Sequence, residues 1–167
     1  MDLKTLKMEN LKSKINADYL VAFKDKEKKA AKSALSMLKA KITESEKAKG
    51  NIELNDDDVM KVILSSIKQR RDSIEQYTKA GRSDLADPEK EELAALEVYL
   101  PAQMTEKEMA QAALEILDGL KEITDSNRKI GMATGQFNKK YAGQFDNSKL
   151  RKAIEDALVY SSLSQGE

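Results

Sequence analysis

Apolar residues recur at steps of three and four along most of this chain, and strict alternation of apolar and polar residues is absent. Steps of three and four place side chains on one face of an α-helix, whereas a half-buried strand needs alternation. Only two prolines and seven glycines interrupt the 167 residues, and helix-favouring Lys, Glu, Ala and Leu are abundant. The pattern therefore predicts an all-α fold.

Four segments before Pro101 have apolar residues at helical spacing, and local signals mark several of their ends. Lys49-Gly50-Asn51 is typical of a helix C-terminus, as is Ala80-Gly81, and Asp87-Pro88 is predicted to start the fourth helix. The apolar positions of the four stripes are Met8, Leu11, Ile15, Tyr19, Ala22 and Phe23; Ala31, Ala34, Leu35, Leu38 and Ile42; Val59, Ile63, Ile67, Ile74 and Tyr77; and Leu93, Leu96 and Leu100.

A second unit begins after Pro101. Thr105 and Glu108 have the spacing of a capping box, which predicts a helix start, and Leu150, Ile154 and Leu158 indicate a last helix capped by Asn147 or Ser148. The stretch between residues 124 and 144 has a looser pattern, and we expect its glycines Gly131, Gly135 and Gly143 to mark close helix packing or a left-handed cap rather than backbone contact to a phosphate. We therefore expect two domains, 1–101 and 102–167, the second a small helical tail domain.

Missing residue types exclude most enzyme designs. The chain has no Cys and no His, so disulfides, thiolate nucleophiles, imidazole bases and ordinary zinc sites are unavailable. Asp56, Asp57 and Asp58 form an acidic cluster that suits either a metal ion or a helix N-terminus, and we favour the helix N-terminus because Asn55 precedes it as a cap. We predict no catalytic residue, no metal site and no cofactor.

Neither a signal peptide nor a membrane span is predicted. The first residues lack the apolar core of a signal peptide, and no apolar run approaches the roughly 20 residues that span a bilayer. We expect a cytoplasmic protein with no membrane partner.

Positive charge is confined to local groups, because the formal net charge of the chain is zero. Residues 1–54 carry net +5, residues 55–100 net −4 and residues 101–167 net −1. Any binding of a polyanion must therefore be local. Two groups of basic residues are the candidate nucleic-acid contacts: Lys68, Arg70, Arg71 and Arg82, and Lys139, Lys140, Lys149, Arg151 and Lys152.

Each candidate also has a structural interpretation. Arg70 falls on the apolar stripe of its helix, so pairing with Glu92 or Glu97 of the next helix is as strong an expectation as binding. Tyr77 and Tyr99, at helical spacing, are expected to be core residues with their hydroxyls at the edge rather than stacking platforms for bases.

Several segments together form a specific signature. They are residues 34–40, Lys68-Gln69-Arg70-Arg71-Asp72-Ser73, Gly81-Arg82-Ser83-Asp84-Leu85, Glu91-Glu92-Leu93 and residues 96–103. Through them, and over nearly its whole length, the chain resembles the YqeY family. Its C-terminal part is similar to the tail domain of the B subunit of tRNA-dependent amidotransferases, the GatB/YqeY domain. In that part Gly131, Gly135, Lys140, Gly143 and Asp146 match, whereas Met132, Ala142 and Asn147 depart from the pattern.

The resemblance implies a non-catalytic accessory protein that binds tRNA, a tRNA-dependent amidotransferase or another protein of the aminoacyl-tRNA machinery. In the amidotransferase the related tail helps to hold the tRNA while other domains perform the chemistry. The family label of carbon–nitrogen ligase with glutamine as amido donor is also implied, although the chain has neither an amidase nucleophile nor a phosphate-binding loop. A helical adaptor that binds only protein, suggested by zero net charge and seven methionines, is the alternative, and an enzyme acting alone is a third.

Overall fold

The computed structural model describes residues 10–164, which form seven α-helices and no strand, so the predicted all-α class is confirmed. The helices are α1 (Leu11–Lys24), α2 (Lys29–Ala48), α3 (Asp56–Lys79), α4 (Ser83–Glu97), α5 (Glu106–Asp118), α6 (Ser126–Lys140) and α7 (Asn147–Ser164).

The chain divides into two compact units between Leu100 and Pro101, one residue before the predicted boundary. The N-terminal unit contains α1–α4 and the C-terminal unit contains α5–α7. Each unit has its own hydrophobic core, drawn from residues of that unit alone. Folding of each unit as an independent domain stays a prediction, as does the likeness of the second unit to the amidotransferase tail.

The N-terminal core is built from the predicted apolar stripes. Ile63 of α3 and Ala34 of α2 are completely buried. Phe23 was expected on the buried face of α1, and this prediction is wrong, since 57% of the residue is exposed. Ala22 occupies the buried position, and the next residue points about 100° further round the helix. Met8, placed on the same stripe, lies outside the described residues.

Glycines end α2 and α3 as predicted. Gly50 and Gly81 both have positive φ angles, of 79° and 68°. After α3, the N–H of Gly81 donates to the carbonyl of Thr78 at 3.1 Å and that of Arg82 to the carbonyl of Tyr77 at 2.8 Å. This pair of bonds is the Schellman motif, which requires a left-handed residue that glycine adopts without strain.

The acidic cluster before α3 serves the helix start. The Asn55 side chain accepts from the N–H of Asp58 at 2.9 Å, which confirms the predicted cap. Asp58 itself pairs with Lys49 and Lys61 at 2.7 and 3.1 Å. The Asp56 carboxylate accepts from the N–H of Leu11 at 2.9 Å and so ties α1 to the first turn of α3. Within residues 10–164 no group of three or more carboxylates is placed to hold a metal ion.

The predicted start of the fourth helix is wrong. Helix α4 begins at Ser83 rather than near Asp87, and Pro88 lies inside it. The left-handed turn at Gly81 redirects the chain at once, and the Arg82 carbonyl already accepts from the N–H groups of Leu85 and Ala86. Burial of Ala86 favours the added turn, and Pro88, only one turn further on, forfeits a single backbone hydrogen bond.

A hydrogen bond between α1 and the turn that follows α4 makes the stability of the N-terminal unit sensitive to acid. The hydroxyl of the buried Tyr99 donates to Asp18 Oδ2 at 2.6 Å, and this bond holds the pKa of Asp18 below its ordinary value of 3.8. Since the folded-state pKa is the lower one, the contribution is present above pH 3.8 and is lost as the pH falls through the folded value.

We expect Tyr99→Phe to lower the free energy of unfolding by about 1 kcal/mol at neutral pH. This is less than is usual for a hydrogen bond to a charged group, because the Asp18 side chain is 39% exposed. In urea titrations followed by circular dichroism, the difference from the natural chain should shrink progressively as the pH falls below 3.8. Tyr77→Phe, whose hydroxyl makes no hydrogen bond within the described residues, should show no such pH dependence. A difference that stays constant down to pH 2 would refute this linkage.

The C-terminal unit contains one unpredicted helix. The capping box of α5 is confirmed, because the Thr105 side chain accepts from the N–H of Glu108 and the Glu108 carboxylate accepts from the N–H of Thr105. Helix α6, in contrast, lies within the stretch between residues 124 and 144, where the apolar pattern predicts no helix. Asp146, and not Asn147 or Ser148, supplies the cap of α7, with its carboxylate accepting from the N–H of Ser148 at 2.9 Å.

The glycines of α6 are not packing positions. A Cβ atom placed on Gly131 or Gly135 would meet nothing within 4 Å, so the expected close helix packing is wrong for both. Only Gly143, with a φ of 76°, has the left-handed conformation.

Candidate nucleic-acid interface

The nine predicted cations fall in both units, four in the first and five in the second. Most of them form ion pairs with carboxylates. Whether a cation is paired decides how strongly it could attract a phosphate. A paired cation must exchange one anion for another, whereas an unpaired one offers its full charge.

Arg70 forms a buried ion pair. Its side chain is 9% exposed, Nη1 lies 2.9 Å from Glu89 Oε2, and Nη2 pairs with Glu92. The expected partner Glu92 is therefore correct, and Glu97 instead pairs with Arg71 at 2.9 Å. Arg70 joins α3 to α4, and a phosphate would reach it only by displacing a carboxylate.

The other cations of the first group are also paired. Lys68 contacts Asp72 one helical turn away at 2.8 Å. The Arg82 guanidinium donates twice to Asp84, at 2.9 and 2.8 Å, which raises the pKa of Arg82 and lowers the pKa of Asp84.

In the second group the three cations of α7 are paired as well. Lys149 contacts Glu106 at 3.1 Å, Arg151 contacts Glu155 at 2.8 Å, and Lys152 contacts Asp156 at 2.7 Å. All three side chains are more than half exposed, so these are weak surface pairs that salt screens easily.

Among the helices of residues 10–164, α6 is the one that contains no acidic residue. It has four cations, Arg128, Lys129, Lys139 and Lys140. None of the four forms an ion pair within residues 10–164; the Lys140 ammonium lies 5.1 Å from the centroid of the Tyr141 ring. Sequence reasoning identified Lys139 and Lys140 but missed Arg128 and Lys129.

Signals for this helix were present in the sequence. Asp125 caps it by accepting from the N–H of Arg128 at 2.6 Å, and Ala133 and Phe137 are spaced by four residues and completely buried. Two glycines inside the segment lower helix propensity by about 1 kcal/mol each and concealed the pattern.

The outer face of α6 combines charge with uncovered backbone. Arg128, Gly131, Gly135 and Lys139 follow one another at steps of three and four residues, so they share one face, and all four are exposed. Because neither glycine has a side chain or a close neighbour, a ligand can approach the helix backbone closely between the two cations.

A second surface feature of the C-terminal unit is an apolar groove between α5 and α7, with a volume of about 660 Å³. Its lining includes the small side chains Ala110, Ala153 and Ala157, together with Tyr160, which is 64% exposed. The exposed Val159 and Leu163 extend the apolar surface along α7.

None of the helices in the described part of the chain is both long and apolar enough to cross a membrane.

Comparison with known proteins identifies the family. The family described as "Yqey-like protein" matches residues 12–158. A Schizosaccharomyces pombe protein described as "Uncharacterized protein C22F3.15" is 34% identical over 92 residues, which cover 55% of this chain and 73% of that protein. The family match, over residues 12–158, takes in residues of both units, including the buried Arg70 and the whole of α6, and the chain belongs to the YqeY family.

Proposed function

We propose that this chain is a non-catalytic accessory protein that binds tRNA, by itself or together with a tRNA-dependent amidotransferase or another aminoacyl-tRNA enzyme, through helix α6. The observation that carries the proposal is the set of four cations on α6 without an ion-pair partner in the described residues. The resemblance of the C-terminal unit to the amidotransferase tail domain supports tRNA as the polyanion.

The geometry of α6 suits a phosphodiester backbone. A helix of this length spans about 22 Å, so cations at its two ends can contact phosphates that are well separated along a strand. The backbone between them is left open by Gly131 and Gly135. Such contacts position RNA by charge and shape and do not read its sequence.

The test is a titration of labelled tRNA at two salt concentrations with duplex RNA as competitor. Replacing Arg128, Lys129, Lys139 and Lys140 together by Gln should weaken binding at least tenfold and lower the dependence of log K on log salt by about 3, since each phosphate contact contributes nearly one unit. The matched control replaces four exposed lysines that are paired on their own helices or turns and are not candidate contacts, Lys61, Lys79, Lys90 and Lys121. Equal losses in the two variants would mean that general charge, and not α6, drives the binding.

The two glycines provide a second test, in which stability and binding should change in opposite directions. Gly131→Ala and Gly135→Ala should each stabilise the C-terminal unit by about 0.5–1 kcal/mol, because both lie inside a helix with open space around them. The added methyl groups should nevertheless weaken tRNA binding by keeping the RNA off the backbone. Thermal unfolding and the tRNA titration measure both effects, and unchanged affinity in the double variant would exclude contact at this face.

A protein adaptor is the second candidate, favoured by the groove between α5 and α7. Its largely apolar lining would accept the apolar face of an amphipathic helix from a partner of the translation machinery. If the natural chain does not bind tRNA at micromolar concentration, this candidate becomes the stronger one. Ala153→Trp, which fills the groove without touching α6, would then be the variant that abolishes capture of a partner.

A further inference from the structure

A polar cleft of about 140 Å³ lies in the N-terminal unit between α2, α3 and α4. Its polar lining consists of Lys41, Ser66, Gln69, Arg70, Ser73 and Glu89. The cleft is several times larger than the share of volume of one water molecule, about 30 Å³, and so has room for a group of a few heavy atoms.

Hydrogen-bond donors predominate in this lining. Lys41, Ser66, Gln69, Arg70 and Ser73 all carry N–H or O–H groups, whereas Glu89 is the only carboxylate among the lining residues. Ser66 is only 6% exposed, and its hydroxyl does not cap a helix, because the residue lies in the interior of α3. A buried hydroxyl and a buried guanidinium at one cleft, beside the half-buried hydroxyl of Ser73, are unusual for a structural core, which favours apolar residues.

Lys41 supplies positive charge without a compensating acid. Its ammonium donates to Gln69 Oε1 at 2.5 Å and lies 3.4 Å from Ser66 Oγ, and it has no carboxylate partner within the described residues. Both of its partners are neutral. Arg70, in contrast, is held by Glu89 and Glu92. Lys41 is therefore the group in the cleft whose charge an incoming anion would neutralise.

The segment Lys68–Ser73, central to the family resemblance, divides at this cleft. Gln69, Arg70 and Ser73 line it, while Lys68 and Asp72 pair with each other outside it. Gln69, Arg70 and Ser73 therefore neither cap a helix nor belong to the apolar core. They also lie outside α6, the helix proposed to bind RNA.

We propose that this cleft binds a small oxyanion, the phosphate or carboxylate group of a small molecule. Lys41 provides the charge, and the hydroxyls of Ser66 and Ser73 donate hydrogen bonds. Arg70 forms the wall of the site and stays paired with its two glutamates. Because these carboxylates oppose an incoming anion, we expect a dissociation constant of about 1 mM for an isolated ion, which corresponds to weak binding.

The test is a ¹H–¹⁵N NMR titration of the full chain with inorganic phosphate and, separately, acetate, at constant ionic strength set by sodium chloride. Amide signals of Ser66, Gln69 and Ser73 should shift in a saturable way, and the tighter of the two ions identifies phosphate or carboxylate as the preferred group. In Lys41→Met, the dissociation constant obtained from the same signals should be at least tenfold higher.

The matched control is Lys47→Met on the same helix, whose exposed side chain has no ion pair in the described residues and lies outside the cleft lining. It should bind like the natural chain. Ser73→Ala serves as a second variant, should Lys41→Met lose its folded spectrum, and should weaken binding several-fold. Shifts that do not saturate, or that are equal in the Lys41 and Lys47 variants, would overturn the proposal.

Discussion

Replacing Arg70 with methionine should lower the free energy of unfolding of the N-terminal unit by about 3–5 kcal/mol. The substitution leaves Glu89 and Glu92 beside a vacated, largely buried position, with side chains that are only 29% and 18% exposed. Two carboxylates without their cation repel each other and have lost the water that would otherwise solvate them. Loss of this size is a large part of the stability of a small domain.

The neighbouring arginine is the matched control. Arg71→Met also removes an ion pair, with Glu97, but both side chains are about two-fifths exposed, so we expect a loss of less than about 1 kcal/mol. Both variants can be compared by urea denaturation combined with hydrogen exchange measured by mass spectrometry, which reports α3 directly.

A third variant separates the charge from the packing. Arg70→Met combined with Glu89→Gln and Glu92→Gln should recover most of the lost stability, because no buried charge is then left unpaired. Similar losses for Arg70→Met and Arg71→Met would show that the Arg70 ion pair behaves like a surface pair and contradict the importance of its burial.

In the C-terminal unit, Phe137→Ala should lower the free energy of unfolding by about 3–5 kcal/mol. Phe137 is completely buried, and its ring stands edge-on to Phe145 with centroids 4.8 Å apart and lies 4.9 Å from Tyr141. The substitution leaves a cavity at the centre of α5–α7 and removes both ring contacts. A unit of this size is only marginally stable, so α6 should be unfolded in most molecules.

Hydrogen exchange locates the effect of this substitution. Amides of α5, α6 and α7 should exchange much faster in Phe137→Ala, while those of α3 should keep their protection, because the two cores share no residue. Tyr160→Ala, at an exposed aromatic residue of the same unit, should change stability by no more than about 0.5 kcal/mol. If α3 loses protection together with α6, the two units unfold as one and the prediction of independent domains is wrong.

Local sequence signals predicted the helix ends well where backbone geometry depends on one residue. Asn55 and Thr105 cap their helices, and Gly50 and Gly81 end theirs, because an N-cap needs a short polar side chain and a left-handed turn needs the absence of Cβ. The start of α4 was misplaced, since Pro88 is a strong local signal and burial of Ala86 overrides it.

The candidate site was predictable only in part. Lys139 and Lys140 were identified from the sequence, but whether a cation is paired depends on side chains that approach it from other positions in the fold. Lys149 illustrates this, because its partner Glu106 is 43 residues away along the chain. Arg128 and Lys129 were missed because the helix that positions them contains two glycines.

The sequence by itself determined the all-α class, several helix ends, the lack of cysteine and histidine chemistry, and the membership of the YqeY family, since each depends on residue identity or on spacing along the chain. Only the tertiary structure decided that Arg70 is buried between Glu89 and Glu92, that the cations of α6 have no ion-pair partner in the described residues, and that Lys41 faces a polar cleft. The physical reason is that burial and pairing are set by which helices pack against each other, and spacing within one helix reveals only which residues share a face.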